Sequence, residues 1–389
     1  MRRVAVVVTR FIAGAGGVAL RGAMALDPNQ YSVTIFSAPG GSLFAEAEKA
    51  GFKVVRLKHM RPELSLREDP SALRELQGEL RKAEFDIVHT HSAKAGVLGR
   101  LAAYRVGVPA IVHTFHGFPF HDFQFAPRRA AYIAIERRLG RITDQFLAVG
   151  GAVAAQAISL RITPAERVRT IASAIEVNIL PTSPSNRAAA RRLMGVPEGA
   201  RVVGTVGRLA PQKAPQDMVA AIESMNRPDV FCVWVGDGPM RQEIARLIER
   251  RRMSKQFLLL GERTDVAALL PGFDIFALAS HYEGLPCSIV EAMTCGVPVV
   301  ATAVNAVPEV VVPGRTGLLV PPAAPALLGK AMAYLLDHPA EGSRMSLAAR
   351  TQLGDRFHPE VLGRDLTEIY ELALTNSARL VRNPLRLVA

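Results

Sequence analysis

Short runs of β-branched and other apolar residues alternate along this chain with longer segments of helical periodicity. These runs predict strands at residues 4–8, 33–36, 53–57, 86–89, 110–114 and 146–149, and again at 202–206, 231–235, 257–260, 274–278, 297–301 and 318–320. Apolar strands separated by helices are typical of parallel sheets that are covered on both faces. The predicted fold class is therefore α/β.

One interruption divides the alternation into two similar halves. No strand is predicted between about 173 and 199, and residues 181–186 read Pro-Thr-Ser-Pro-Ser-Asn, a composition typical of linkers. We predict doubly wound domains over 1–180 and 200–357, a linker over 181–199, a helix over 358–376 that packs back on the first domain, and a basic tail over 377–389. Such sheets bind ligands at the carboxyl ends of their strands, so we expect both domains to face a central cleft that holds the chemistry.

Composition excludes several protein classes. The 389 residues are 49% hydrophobic, and three cysteines are too few and odd in number for a disulfide framework. Arg10 ends the first apolar run before it reaches the length of a signal peptide, and prolines interrupt the weakly polar stretch 296–314. We therefore expect a cytoplasmic protein.

The net charge of +12 lies mainly in the first half of the chain. Residues 1–180 carry 24 Lys and Arg against 15 Asp and Glu, whereas residues 181–389 carry 23 against 20. A positive field suits phosphate-bearing ligands, an anionic membrane or nucleic acid. Aromatic residues make up only 6% of the sequence and no nucleic-acid-binding motif is present, so we expect no nucleic-acid partner.

The turn after the first predicted strand has the spacing Gly14-x-Gly16-Gly17-x-Ala19. Glycines at these positions let backbone N–H groups approach a diphosphate at the start of a helix. A dinucleotide-binding fold also has an acidic residue at the end of its second strand, and residues 33–38 contain none. The turn thus predicts either a phosphate contact or close helix packing.

Two loops in the second half carry candidate binding residues. Arg208 and Lys213 follow the predicted strand 202–206, and two cations there can hold a diphosphate and stabilise it as it departs. Glu283 and Glu291 lie eight positions apart, across a Gly-Pro loop that enters a predicted helix, and can bind separate hydroxyls. Taken alone, the cations could be solvated surface residues, Glu283 a helix cap and Glu291 a surface residue.

Together these segments resemble a known family. Three motifs occur in order: Gly-Arg-Leu-Ala-Pro-Gln-Lys (207–213), Val-Gly-Asp-Gly-Pro (235–239), and Glu283-x7-Glu291 followed by Gly-Val-Pro-Val-Val (296–300). This order is similar to that of retaining nucleotide-sugar glycosyltransferases of family four. The resemblance covers essentially the whole chain. It implies the GT-B fold, with two Rossmann-like domains, and hexose transfer from a nucleoside diphosphate-sugar, UDP by family frequency, without a cofactor or an essential metal.

The resemblance also implies roles for individual residues on the donor side. Arg208 and Lys213 are expected to bind the diphosphate and to act in catalysis by stabilising its developing charge, and Glu291 is expected to bind the ribose. Glu283 is expected to act at the donor sugar. The remaining donor-binding residues implied by the resemblance are Gly16, Gly17, Arg263, Gly284, Leu285, Pro286, Cys287 and Ser288. Where the family often carries a Gly-Gly pair before Pro-Glu, this chain has Val304-Asn305-Ala306-Val307, so backbone contacts of that loop are not carried over.

Two histidine-rich motifs end predicted strands of the first half. The first contains His89, His91 and Lys94, and the second contains His113 and His116. A His-x-His pair on one strand face can ligate zinc, but no cysteine or acidic cluster accompanies these residues and no Asp-x-Asp pair occurs in the chain. We therefore expect no metal site.

The same two motifs are similar to the acceptor-side loops of family members that build bacterial capsule, exopolysaccharide or O-antigen chains. The resemblance places His116 at the reaction centre, where it hydrogen-bonds the donor sugar or organises the acceptor hydroxyl. It places His89, His91, Lys94 and His113 on the acceptor side, with buried structural histidines as the alternative for His89 and His113. The implied acceptor is a glycan or a polyprenyl diphosphate-linked glycan.

An arginine-rich helix and three other functions stay open. Residues 128–141 carry five arginines among aliphatic residues, which suits either peripheral contact with an anionic membrane at its cytoplasmic face or an ordinary surface helix. The alternatives are a glycosyltransferase for a small soluble acceptor, a nucleotide-sugar epimerase and a noncatalytic nucleotide-sugar-binding membrane protein. The acceptor-like first half disfavours the epimerase, and the presence of Glu283 with His116 disfavours the noncatalytic protein.

Overall fold

The computed structural model describes residues 1–12, 14–65, 67–118, 120, 125–173, 175, 179–197 and 199–381. It divides into two compact units. Unit 1 comprises Met1–Ala174 with Phe357–Ala389, and unit 2 comprises Ile175–Arg356. The part of the predicted basic tail beyond residue 381 lies outside the described residues.

Unit 1 is built on a parallel sheet of seven strands in the order β3-β2-β1-β4-β5-β6-β7. The strands are β1 (Arg2–Val8), β2 (Tyr31–Ser37), β3 (Lys53–Arg56), β4 (Ile87–His91), β5 (Ala110–Phe115), β6 (Gln145–Ala148) and β7 (Val168–Thr170). The helices are α1 (Ala15–Ala25), α2 (Phe44–Lys49), α3 (Glu68–Ala83), α4 (Ala93–Val106), α5 (Ala126–Gly140) and α6 (Gly151–Ser159). The strands up to β3 are added on one side of β1 and the later strands on the other, so the strand order reverses between β1 and β4. Doubly wound sheets bind ligands at this point of reversal.

Unit 2 repeats this architecture with six parallel strands in the order β10-β9-β8-β11-β12-β13. The strands are β8 (Arg201–Val206), β9 (Val230–Val235), β10 (Phe257–Gly261), β11 (Ile275–Leu278), β12 (Val299–Thr302) and β13 (Leu318–Val320). The helices are α7 (Pro184–Met194), α8 (Pro215–Met225), α9 (Arg241–Arg250), α10 (Val266–Leu269), α11 (Cys287–Cys295), α12 (Pro325–Asp337) and α13 (Pro339–Leu353). Here the reversal lies between β8 and β11.

The last helix, α14 (Pro359–Val381), returns to unit 1. Its stripe of Leu362, Leu366, Ile369 and Tyr370 is buried in the core formed with β1 and α1. Gly363 lies so close to the end of α1 that a β-carbon at this position would overlap the carbonyl oxygen of Ala25. Close backbone approach therefore depends on glycine here.

The structure confirms the α/β prediction with two doubly wound sheets, and each of the twelve predicted strands is present. The sequence analysis missed β7, because this edge strand has only three residues and only Val168 among them is buried. The segment 181–199, assigned to a linker, instead contains α7. Ser183 accepts a hydrogen bond from the N–H of Asn186 and Pro184 occupies the first turn, so the Ser-Pro composition begins a helix there.

Two glycine substitutions test the packing of α14. Gly363→Ala should destabilise unit 1 by about 1–3 kcal/mol, because the new methyl group has no space against Ala25. Gly78→Ala is the matched control within α3, where a β-carbon meets no atom within 4 Å, and should stabilise by about 0.5–1 kcal/mol. Urea denaturation followed by circular dichroism measures both. Equal midpoints for the two variants would show that α14 is not packed closely on α1.

Candidate functional site

The strongest cluster of polar residues in unit 2 lies where β8 and β11 end. These strands are neighbours in the sheet, so the loops that follow them meet at its carboxyl edge. The loop after β8 includes a 3₁₀ turn at Pro211–Lys213, and the loop after β11 leads into α11. Arg208, Lys213 and Glu283, which the sequence analysis selected separately, all belong to these two loops.

Lys213 and Glu283 form an ion pair that joins the two loops. The Nζ atom of Lys213 lies 2.5 Å from Oε1 of Glu283, and their side chains are 14% and 5% exposed. The Ser280 hydroxyl donates to the same oxygen at 2.6 Å, and the Gln212 side-chain amide donates to Oε2 at 3.3 Å. A buried carboxylate needs such partners, since an unpaired charge in this position is strongly destabilising.

Backbone hydrogen bonds hold the same segment in place. The N–H of His281 donates to the Gln212 carbonyl at 2.9 Å, and the Gln212 side-chain amide donates to the Tyr282 carbonyl at 3.1 Å. At the end of β12 the Thr302 hydroxyl donates to the Ser280 carbonyl at 2.6 Å, and in the loop that follows Oδ1 of Asn305 accepts from the N–H of Glu283 at 2.9 Å. Residues 280–283 are therefore anchored from two neighbouring loops.

The motif Val-Gly-Asp-Gly-Pro (235–239) supports the loop after β8 from its other side. Gly236 has φ of +135° and Gly238 lies against the backbone of Leu209, so a side chain at either glycine would overlap main-chain atoms of the loop. The Trp234 indole N–H also donates to the Gly207 carbonyl at 2.8 Å. This close support fixes the backbone that carries Arg208.

Arg208 differs from Lys213 in its surroundings. It is exposed, and within the described part of the chain it forms no ion pair with a carboxylate. It lies within electrostatic reach of Tyr282, whose pKa is raised by burial and lowered to a smaller extent by the Arg208 guanidinium. Arg208 is thus the cation of this cluster with no carboxylate to neutralise it, whereas the charge of Lys213 is shared with Glu283.

The start of α11 completes this edge of the sheet. The helix begins at Cys287, so Glu291 lies little more than one turn inside it and is half-buried. Leu285 and Pro286 are buried, whereas Gly284, Cys287 and Ser288 are half-buried. Among the described residues no side chain caps this helix, and the carboxylate of Glu283 is held by Lys213 and Ser280 instead. The interpretation of Glu283 as a helix cap is therefore wrong.

Arg263 is engaged by its own loop. Its guanidinium donates to both oxygens of Asp265 at 2.7 and 2.5 Å, and this pairing raises the pKa of Arg263 and lowers that of Asp265. Among the residues that the structure describes, none links Arg263 to the network around Glu283. The donor-binding role expected of Arg263 stays a prediction.

In unit 1, the glycine turn after β1 is explained by packing. Gly14 has φ of +80° just before α1, and the added β-carbon of Gly16 would lie 3.0 Å from the Arg10 carbonyl oxygen. Gly16 and Gly17 are both buried, with Gly17 facing the Arg21 side chain. The close-packing interpretation accounts for Gly16, and the phosphate contact of the two glycines stays a prediction.

The histidines at the ends of β4 and β5 separate onto two faces of the sheet. His89 lies on the α14 face, where Nδ1 is 2.8 Å from the Tyr370 hydroxyl and Nε2 is 2.7 Å from the Thr114 hydroxyl. His113 lies on the α4 face, with Nδ1 2.8 Å from the Thr90 hydroxyl and its ring against Gly96. Both rings are thus satisfied core histidines, the alternative that the sequence analysis left open.

His91 and His116 form a pair on the same face as His89. Nδ1 of His91 lies 3.0 Å from Nε2 of His116, and the ring centroids are 5.2 Å apart. Desolvation lowers the pKa of His116 to about 4 and that of His89 to about 3, and it holds the pKa of His91 well below its usual range. All three rings are therefore neutral near pH 7.

Lys94 does not join this histidine group. Its side chain is 7% exposed and pairs with Asp69, and its ammonium also donates to the Glu63 carbonyl. These partners tie the start of α4 to the segment that enters α3. Sequence reasoning could not anticipate them, since an Asp or a backbone carbonyl far along the chain carries no local signal.

The described residues contain neither a cluster of metal ligands nor a helix that could cross a membrane. No three His, Cys, Asp or Glu side chains converge in a way that could hold a metal ion. No helix in the described ranges has both the length and the apolar character needed to cross a bilayer.

Sequence comparisons match both units. The profile of the family described as Glycosyltransferase Family 4 matches residues 12–179, and that of Glycosyl transferases group 1 matches residues 186–352. A UDP-Gal:alpha-D-GlcNAc-diphosphoundecaprenol alpha-1,3-galactosyltransferase of Escherichia coli is 31% identical over 62% of this chain and 64% of its own length. A D-inositol 3-phosphate glycosyltransferase of Thermobispora bispora is 30% identical over 76% of this chain and 73% of its own.

Solved structures share the fold. The Anabaena protein HepE, in a complex with UDP and glucose, superposes with a TM-score of 0.82 at 21% identity over 95% of this chain and 99% of that one. WaaG, a glycosyltransferase involved in lipopolysaccharide biosynthesis, has a TM-score of 0.76 at 18% identity over 94% and 99% of the two chains.

The neutral histidines predict a pH-dependent stability. Because their pKa values are lowered by folding, the unfolded chain binds more protons below pH 6.5, so stability is complete above that pH and falls toward pH 5. The free energy of unfolding of the wild type should therefore fall between pH 7 and pH 5. In His89→Gln this fall should be about 2 kcal/mol smaller. Urea denaturation at both pH values measures this, with the exposed His358→Gln as control. An unchanged loss in His89→Gln would contradict a neutral, buried His89.

Proposed function

The chain belongs to glycosyltransferase family 4, with the GT-B fold, and from this we propose that it transfers a hexose from a nucleoside diphosphate-sugar to a hydroxyl of a glycan or polyprenyl diphosphate-linked acceptor, with retention of configuration. The proposed donor is a UDP-sugar and the proposed product belongs to a bacterial surface polysaccharide. Donor binding is assigned to the loops of unit 2, and the acceptor-side role to the histidine motifs of unit 1.

The observation that carries this proposal is the contrast between Arg208 and Glu283 at one sheet edge. Arg208 offers an exposed cation that has no carboxylate partner among the described residues, while Glu283 in the neighbouring loop is held by Lys213 and Ser280. A diphosphate suits the guanidinium because the planar fork can donate two hydrogen bonds to it. A fixed carboxylate suits a sugar hydroxyl, since its orientation costs little further entropy on binding.

Electrostatic stabilisation is the proposed source of most of the rate. The bond between the sugar and the diphosphate breaks, and the departing diphosphate gains negative charge beside Arg208 and Lys213. The acceptor hydroxyl bonds to the same face of the sugar and gives its proton to the departing diphosphate, so no protein base is needed and configuration is retained. Glu291 is assigned to the ribose, and the transfer is proposed to need no metal ion.

A neutral His116 limits what that residue can do. Its pKa of about 4 means that near pH 7 it acts as a hydrogen-bonding group and not as a cation or a strong base. The proposed role is therefore to orient the donor sugar or the acceptor hydroxyl.

The lipid-linked acceptor is supported by one relative and by α5. The E. coli relative is named for an acceptor joined to diphosphoundecaprenol. On α5, Arg128, Arg137 and Arg138 are exposed, and Phe125 just before the helix is 74% exposed. Exposed arginines beside an aromatic ring suit peripheral contact with an anionic membrane, which would bring the enzyme to such an acceptor from the cytoplasmic side.

A small soluble acceptor is the second candidate. The D-inositol 3-phosphate glycosyltransferases support it, since they match this chain at similar identity and the T. bispora enzyme matches more of its length. The donor side of the mechanism would be unchanged, and only the acceptor-side loops of unit 1 would differ in their ligand.

Donor specificity can be tested with a panel of UDP-, GDP-, ADP- and dTDP-sugars in the presence of EDTA. Each sugar is supplied with an undecaprenyl diphosphate-linked sugar, with inositol phosphate, or with no acceptor, and released nucleotide is measured. We expect one donor to be used, and turnover to be lost in Glu283→Ala. Arg208→Ala should lower kcat/KM about a hundredfold, equivalent to about 3 kcal/mol.

The exposed Arg246 on α9 gives a matched control, and Arg246→Ala should retain the activity of the wild type. Transfer only to inositol phosphate would replace the lipid-linked acceptor by the soluble one. Absence of nucleotide release and of nucleotide binding for the whole panel would contradict the donor site.

A further inference from the structure

Asn305 occupies an unusual backbone conformation beside Glu283. Its φ is +43°, in the left-handed region that residues other than glycine, asparagine and aspartate rarely adopt. The residue lies in the loop after β12, in the segment Val304-Asn305-Ala306-Val307. A backbone conformation that glycine would adopt freely is therefore occupied here by a residue with a hydrogen-bonding side chain.

Within the described part of the chain, the Asn305 side chain makes one hydrogen bond. Oδ1 of Asn305 accepts from the backbone N–H of Glu283 at 2.9 Å. The orientation of the amide is set by chemistry, because a backbone N–H can only donate and the amide nitrogen cannot accept. Three residues earlier, at the end of β12, the Thr302 hydroxyl donates to the Ser280 carbonyl at 2.6 Å. The end of β12 and the loop that follows it thus hold both ends of the segment 280–283.

The two ends of Glu283 are held by different elements. Lys213, Gln212 and Ser280 bind the carboxylate, whereas Asn305 binds the backbone nitrogen of the same residue. With both ends bound, the backbone and the side-chain torsions between them have little freedom. With the carboxylate held alone, the backbone at Glu283 could rotate about its contacts and change the direction in which the free face of the carboxylate points.

We propose that Asn305 is a positioning residue for Glu283, whose backbone it anchors so that the carboxylate is presented to the donor sugar. This inference rests on the proposed function, in which Glu283 binds that sugar. The sugar-proximal role distinguishes Asn305 from the cations of the loop after β8, so its removal should affect turnover of the nucleotide-sugar more than affinity for the free nucleotide.

Three variants separate the hydrogen bond from the backbone conformation. Asn305→Gly keeps the left-handed backbone and removes the acceptor. Asn305→Asp keeps both the conformation and an acceptor oxygen at the same place. Asn226→Gly is the matched control, because Asn226 has φ of +51° at the end of α8, is exposed, and has no contact with the Glu283 network among the described residues.

The measurements are kcat and KM for the nucleotide-sugar, the Kd of the free nucleotide, and hydrogen–deuterium exchange of the peptide that contains the Glu283 amide. Asn305→Gly should lower kcat on the order of tenfold, leave the nucleotide Kd within about twofold, and speed exchange at Glu283. Asn305→Asp should recover most of the lost turnover and the slow exchange. Asn226→Gly should match the wild type in each measurement.

Two results would overturn the inference. One is a kcat and an exchange rate in Asn305→Gly equal to those of the wild type. The other is an equal loss in Asn305→Gly and Asn305→Asp. A wild type that neither binds nor uses a nucleotide-sugar would contradict the proposed function instead, and with it the role of Asn305 at the sugar, while the exchange rates would still decide whether Asn305 anchors the Glu283 backbone.

Discussion

The ion pair between Lys213 and Glu283 is the interaction on which the candidate site of unit 2 depends. It joins the loops that follow β8 and β11. These strands are distant in sequence but adjacent in the sheet, because the order in which strands are added reverses between them. Removing one member of such a buried pair leaves an uncompensated charge, so each loop holds the other in place. Ser280, Gln212, Thr302 and Asn305 add hydrogen bonds that reduce the remaining freedom of Glu283.

The ion pair between Lys213 and Glu283 also makes the two cations of this site, Arg208 and Lys213, unequal. Because the charge of Lys213 is partly neutralised by Glu283, Arg208 supplies the stronger attraction for an incoming anion. His89, His91 and His116 of unit 1 carry no charge near pH 7, since desolvation lowers their pKa values. In the proposed reaction the positive field at the phosphates therefore comes from unit 2, while the histidine pair of His91 and His116 provides neutral hydrogen-bonding groups.

The sequence predicted the elements that have strong local signals. Periodicity predicted twelve apolar strands. Motif order placed Arg208, Lys213 and Glu283 after strand ends, and a parallel sheet brings the ends of neighbouring strands together. β7 was missed because a short, exposed edge strand has little apolar pattern. α7 was assigned to a linker because Ser and Pro occur both in linkers and at helix starts.

The contacts of the candidate site were the part that sequence could not supply. Nothing local indicates that Asn305 binds the backbone of Glu283, that Tyr370 of α14 binds His89, or that Lys94 is taken up by Asp69. Each contact joins residues far apart in the chain and depends on how helices and loops pack. The only advance signal was that the resemblance leads one to expect a glycine pair in the segment that holds Asn305, and glycine suits a left-handed backbone.

In the proposed function, Glu283 binds the sugar of a nucleotide-sugar while the neighbouring loop binds its phosphates. Isothermal titration of the wild type and Glu283→Gln, with the active nucleotide-sugar and with its parent nucleotide, separates these two contributions. We expect Glu283→Gln to bind the parent nucleotide within about threefold of the wild type and the nucleotide-sugar at least about tenfold more weakly. Equal changes for the two ligands, or none for either, would contradict it.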